Sequence, residues 1–86
     1  MKSLVKNYID SLTIDILKDF SLKNHLNLNN TELNYILNLL KNDYENILKN
    51  DSIYLEKLKN NINSNDYIKI KELYDNFKLK YKSYLI

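Results

Sequence analysis

Between Ser64 and Ile86 the large apolar groups recur at Tyr67, Ile70, Tyr74, Phe77, Tyr81 and Tyr84, spaced by three, four, three, four and three residues. That alternation keeps one stripe on one side of a helix. It predicts a long C-terminal helix capped by Ser64, with a ringed face that needs protein against it. Either the preceding helices or a second copy of the chain must supply that surface.

Upstream, the pattern breaks into shorter helical segments. Leu4 to about Ser11 reads as a first helix, with Leu4, Val5, Tyr8, Ile9 and Leu12 available for packing. Thr13 is an N-cap candidate for a second helix from Ile14 to about Asn24, and Asp15 in its first turn suits the positive end of the helix dipole. In that helix Ile16, Leu17 and Phe20 are expected inside, although a continuous helix through Thr13 is also compatible with the pattern. Leu26-Asn27-Leu28-Asn29-Asn30 reads as a connector whose two leucines enter the core, with Asn taking the turn conformations that Gly would otherwise supply. Asn29 followed by Glu32 resembles a capping box, starting a third helix near Asn30 or Thr31 with Leu33, Ile36, Leu37 and Leu40 inward.

The middle of the chain admits two readings. Tyr44, Ile47 and Leu48 continue the phase of the third helix to about Lys49, whereas Asn42-Asp43 and Asn46 permit a turn. The second reading is preferred: a break near Asn42, with Ile47 and Leu48 as a strap. A fourth helix capped by Asn50 or Asp51 then carries Ile53, Tyr54, Leu55 and Leu58, and Ile62 anchors the turn that follows. The expected fold is all-α, a single domain over residues 1–86: a compact bundle of four or five short helices with a long C-terminal helix.

Composition changes this picture little. The 86 residues include no Gly, Pro, Cys, Trp, Arg, Gln or Ala. An adenine- and thymine-rich coding sequence accounts for the abundance of Asn, Lys, Ile and Tyr. A formal charge of +2 is too small to point to a polyanionic partner, and without Arg the usual bidentate reader of phosphate and guanine is missing. With no Cys there is neither a disulfide framework nor a thiolate metal site. No stretch approaches the roughly 18 consecutive apolar residues of a membrane span, and the first residues lack the apolar run of a secretion signal, so a cytoplasmic location is expected. Asn29-Asn30-Thr31 matches a glycosylation pattern but is read as a helix start.

Candidate chemistry is sparse. His25, the single histidine, falls at the end of the second helix and is read as a surface or capping residue. Asp15 and Asp19 lie one turn apart, and Asp51 lies near Glu56, but no histidine or Gly-rich loop accompanies them. Solvated charge is the expected role, and no catalytic, cofactor-binding or metal site is assigned. Lys71, Lys78 and Lys82 share a flank of the last helix, interrupted by Asp75. A helix-turn-helix reading would place Thr31, Asn34, Tyr35, Asn38 and Lys41 against DNA, with Glu32 opposing phosphate.

The order of segments resembles the YqfT-like family of small Firmicute proteins, a domain of unknown function. The resemblance covers nearly the whole chain. It runs through Thr13-Ile14-Asp15-Ile16-Leu17 and Phe20, Leu26-Asn27-Leu28, Glu32, Ile36, Leu39 and Leu40. It continues through Ile47-Leu48, Leu55, Leu58, Ser64, Leu73 and Phe77. Asn42 and Asp51-Ser52 stand where family members tend to carry Gly and Pro. The resemblance implies a compact helical cytoplasmic protein of a low-GC bacterium and transfers no catalytic residue.

The functional expectation is a small helical protein-interaction module without catalytic activity, self-associating as a homodimer or binding another protein. Its interface would use Tyr74, Phe77, Tyr81, Tyr84 and Leu85. No small molecule, cofactor or membrane is indicated. A nucleic-acid-associated regulator, using the second and third helices or the C-terminal lysines, is the disfavoured alternative.

Overall fold

Thr13 ends the ambiguity at the start of the chain. In the computed structural model its hydroxyl accepts the N–H of Ile16 at 3.2 Å, which separates α1 (Lys2–Ser11) from α2 (Ile14–Lys23). The structure describes the backbone of residues 2–85 and the side chains of residues 6–47 and 49–80. Three further helices follow, α3 (Asn30–Lys49), α4 (Asp51–Asn61) and α5 (Ser64–Leu85), giving an all-α bundle with a long C-terminal helix. The helix α3 is central, packing against α1, α2 and α4, while α5 packs against α4.

The C-terminus of α2 shows how a chain without glycine turns. The N–H of Leu26 donates to the carbonyl of Ser21 at 2.9 Å, and that of His25 to the carbonyl of Leu22 at 3.2 Å. This paired closure requires a left-handed residue just past the helix, and His25 takes it with φ of 58°. Histidine is among the side chains that tolerate this region better than most, though at a cost that glycine avoids. The connector asparagines were expected to fill this role; His25 does so instead. The Lys69 ammonium donates to the His25 carbonyl at 2.8 Å and binds the turn to α5.

Leu17 and Ser21 form the buried line of α2, one turn apart. Ile16 and Phe20, expected inside, are displaced about 100° around the helix and are exposed. Ser21 occupies an inward position because the returning chain passes close by: its hydroxyl donates to the Leu26 carbonyl at 3.5 Å. Tyr8 and Ile53 are likewise exposed; among the described residues Ile9 is the buried residue of α1 and Leu58 that of α4, and Leu12 is buried in the link that follows α1. Among the described residues Leu33 of α3 is the most enclosed side chain, at 1% exposure. Leu26 and Ile62 are buried where the connectors meet the bundle, as their positions between helices suggest.

The break expected near Asn42 is a kink within one helical run. Asp43 leaves helical geometry, with φ of −130° and ψ of 19°, and the chain resumes as helix through Lys49. Residues 44–49 are therefore a re-aimed helical segment, not a strap. Asn and Asp favour such departures because their short polar side chains compete with the helix for backbone groups.

Candidate functional site

Two helix starts are joined at one end of the bundle. At the start of α3, the Asn29 side chain accepts the Glu32 N–H at 2.8 Å, and the Glu32 carboxylate accepts the Asn29 N–H at 3.0 Å. The start of α5 repeats this arrangement in part: Asn63 Oδ1 accepts the Asp66 N–H at 2.9 Å, and Asn63 Nδ2 donates to Asp66 at 2.7 Å. Asn63, not Ser64, is thus the cap. Each carboxylate also reaches the other connector. Glu32 Oε2 accepts the Asn63 N–H at 2.7 Å, and both oxygens of Asp66 accept the Asn27 N–H, at 3.1 and 3.0 Å. Glu32 is 8% exposed and Asp66 3%, and each hydrogen bond that these two carboxylates accept comes from a backbone N–H or the Asn63 amide. It is a structural lock, with its acceptors aimed at the chain and not at a reaction space.

Beyond the joint, α2, α3, α4 and α5 diverge around a cavity of about 400 Å³. Its wall is almost entirely apolar. Leu26, Leu28 and Leu58 line it, as do Leu39 and Leu40 on α3 and Leu73 on α5. Phe20 and Phe77, 45% and 39% exposed, line the cavity and also face solvent, which marks its opening. An apolar void of this size, if enclosed and empty, would cost on the order of 10 kcal/mol at about 24 cal/mol per Å³. That equals the whole stability of a typical small domain, about 5–15 kcal/mol. The opening reduces the penalty by admitting solvent, but it leaves apolar surface wet.

Polar chemistry in the lining gathers at Asp51, the first residue of α4. Its carboxylate accepts the Tyr74 hydroxyl at 3.2 Å and the Lys78 ammonium at 2.5 Å. The same ammonium lies 5.6 Å from the centre of the Tyr74 ring. The Lys78 hydrogen bond is foremost in holding the Asp51 carboxyl below the usual aspartate range. Burial, then the charge and hydrogen bond of Asp51, push the Tyr74 phenol well above the ordinary tyrosine value.

Of the sequence-predicted interface, Tyr74 is half-buried beside Asp51 and Phe77 lies at the cavity opening. The side chains of Tyr81, Tyr84 and Leu85 lie outside the described residues. Tyr67, Ile70 and Leu73 continue the covered stripe of α5 towards the joint. His25 is exposed, and among the described residues no group of three or more His, Cys, Asp or Glu side chains is placed to hold a metal. Asp15 and Asp19 are exposed, with Asp19 3.6 Å from Lys23.

Of the residues weighed for nucleic acid, Lys71, Lys78, Lys41 and Tyr35 have partners within the domain, while Thr31, Asn34 and Asn38 are exposed. Lys71 lies 2.8 Å from Asp75, Lys78 pairs with Asp51, and the Lys82 side chain lies outside the described residues. On the α3 face, Lys41 donates to the Asp10 carbonyl at 3.1 Å and the Tyr35 hydroxyl accepts from Asn61 at 3.3 Å. Among the described residues no helix is long and apolar enough to cross a membrane. No known protein family, curated protein or solved structure matches the chain.

Proposed function

We propose that the protein is a small helical interaction module, non-catalytic and cytoplasmic, that pairs with a second copy of itself through the α5 side of the cavity opening. The observation that carries this reading is the position of Phe77, which belongs at once to the cavity lining and to the exposed surface. From Phe77, α5 continues through Leu85, so Tyr81, Tyr84 and Leu85 extend the same stripe in sequence phase. The relation to YqfT-like proteins belongs to this proposal and rests on packing and capping positions.

Area sets what the contact must include. An aromatic side chain carries roughly 150–250 Å², so the uncovered parts of Phe20 and Phe77 from two copies amount to about 300 Å². Stable interfaces bury at least about 1,200 Å². The last two turns of α5 therefore have to contribute, which makes Tyr81 and Tyr84 as important to pairing as Phe77. Sedimentation over a concentration series tests this. The wild type is expected at twice the chain mass, and Phe77→Ser and Tyr84→Ser are expected as monomers of unchanged helicity. A wild type that stays monomeric at the highest concentration overturns the reading.

A further inference from the structure

Four helices share the cavity wall, with Leu17 from α2, Leu39 from α3, Leu58 from α4 and Leu73 from α5. Among the described residues Asp51 is the one charged group in that lining. Its carboxylate is already engaged, by the Tyr74 hydroxyl and the Lys78 ammonium. Nor does any buried side-chain nitrogen or oxygen among the described residues lack a hydrogen-bond partner. The wall therefore keeps no buried donor or acceptor in reserve for an occupant.

Water fills such a space badly, because each molecule needs about two to four polar partners. An occupant carrying a hydroxyl or a charge meets the same difficulty, since it gives up its hydration without a replacement partner. An apolar molecule loses no hydrogen bond, and it takes its own surface and the leucine wall out of water together. Size follows by proportion: an apolar cavity of about 150 Å³ holds benzene, so one of about 400 Å³ has room for roughly ten to fifteen carbons. We infer that the cavity binds a small hydrocarbon of that size, with no hydrogen-bonding group, seated among Leu39, Leu58 and Leu73.

The inference goes beyond self-association and does not rest on it. Pairing was argued from Phe77 and the turns of α5 that follow it, whereas the hydrocarbon is argued from the leucines of four helices and from the absence of a buried polar atom awaiting a partner among the described residues.

The probe is limonene, with perillyl alcohol and perillate as controls that put a hydroxyl or a carboxylate on the same carbon skeleton, all within their solubility. Limonene is expected to raise the wild-type Tm in a concentration-dependent way, with both controls binding at least tenfold more weakly. Leu39→Phe, which places more side chain in the void, is expected to melt higher without ligand and to lose the limonene increment. In the wild type itself, NMR should show limonene close to the methyls of Leu39, Leu58 and Leu73; should Leu39→Phe not fold, these contacts decide alone. No Tm shift, contacts confined to the exposed Ile68 and Leu79, a folded Leu39→Phe that still responds, or a control that binds as tightly as limonene each overturns the inference. Sedimentation with and without limonene keeps the two proposals apart. A monomer that binds limonene removes the pairing and leaves the hydrocarbon site standing, and a dimer that ignores limonene does the reverse.

Discussion

The Glu32 carboxylate on α3 accepts the backbone N–H of Asn63 at 2.7 Å, across 31 positions of sequence, while its other oxygen closes the cap of its own helix. One side chain thereby sets where two helices begin. Replacing it exposes the asymmetry between making a buried hydrogen bond and leaving a donor without one. Glu32→Ala is expected to lower stability by about 2–4 kcal/mol. Glu32→Gln, which retains one acceptor but turns an amide donor towards a backbone N–H, should cost about 1–3 kcal/mol. Denaturant unfolding measures both, and a loss below about 0.5 kcal/mol for Glu32→Ala would show that the joint contributes little.

Asp66 shares Asn63 with Glu32, so the two carboxylates should not act independently. Asn63 Nδ2 reaches Asp66 at 2.7 Å and Glu32 at 3.4 Å. A double-mutant cycle of Glu32→Gln with Asp66→Asn is expected to show a coupling of about 0.5–3 kcal/mol. Strict additivity would place the two caps in separate units.

His25 offers a stabilising substitution. Its left-handed backbone, φ 58°, costs a residue with a Cβ about 1–2 kcal/mol, whereas glycine enters freely but loses more entropy on folding. His25→Gly should gain about 0.5–1 kcal/mol, and His25→Val, with its β-branched side chain, should lose at least as much. A melting series with both variants reads the sign directly.

How much of this was legible in the chain depends on the range over which each feature is decided. Thr13 and the Asn29–Glu32 box are local, and spacing alone identifies them. Asn63 and Ser64 are both good caps; the reciprocal contact with Asp66 three residues later selects Asn63, a signal available had Asp been counted in the box. That the two boxes grip each other's connectors depends on tertiary placement, which no periodicity carries. Ser21 hid the buried line of α2 because an inward serine breaks the apolar pattern, and so Ile16 and Phe20 looked like the inner face. The cavity lay further out of reach: spacing tells which side chains turn inward, not whether together they fill the volume.

Tyr74 and Asp51 give the protein a pH signature at each extreme. A phenol harder to ionise in the folded chain stabilises it below the ordinary tyrosine range, and that contribution is lost as pH rises from there to the folded value. Tyr74→Phe should therefore alter stability at neutral pH by no more than about 1 kcal/mol while flattening the alkaline decline. For Asp51 the direction is opposite: with its folded value lowered, the contribution is present above the unfolded aspartate range and lost as pH falls through the folded value. Lys78→Met should move the Asp51 titration, followed by carboxyl NMR, upwards.

Core and surface should separate cleanly in mutation. Leu33, at 1% exposure, is expected to cost about 3–5 kcal/mol as Leu33→Ala. Ile68, equally apolar but exposed on the outer side of α5, should change stability by less than about 0.5 kcal/mol as Ile68→Ser. Urea titrations of the two variants make the comparison, and equal losses would contradict this assignment of inside and outside.

The joint also implies an order of events during folding. Each capping carboxylate has a partner three residues away that it can find within a single turn, and a second partner 31 or 39 residues away that must be delivered to it. The near bonds organise the helix starts while the chain is still open. The far ones latch only when the α3–α4 hairpin has swung α5 back alongside the first connector, so loosening them should leave the pace of early helix formation intact and quicken the chain's coming apart.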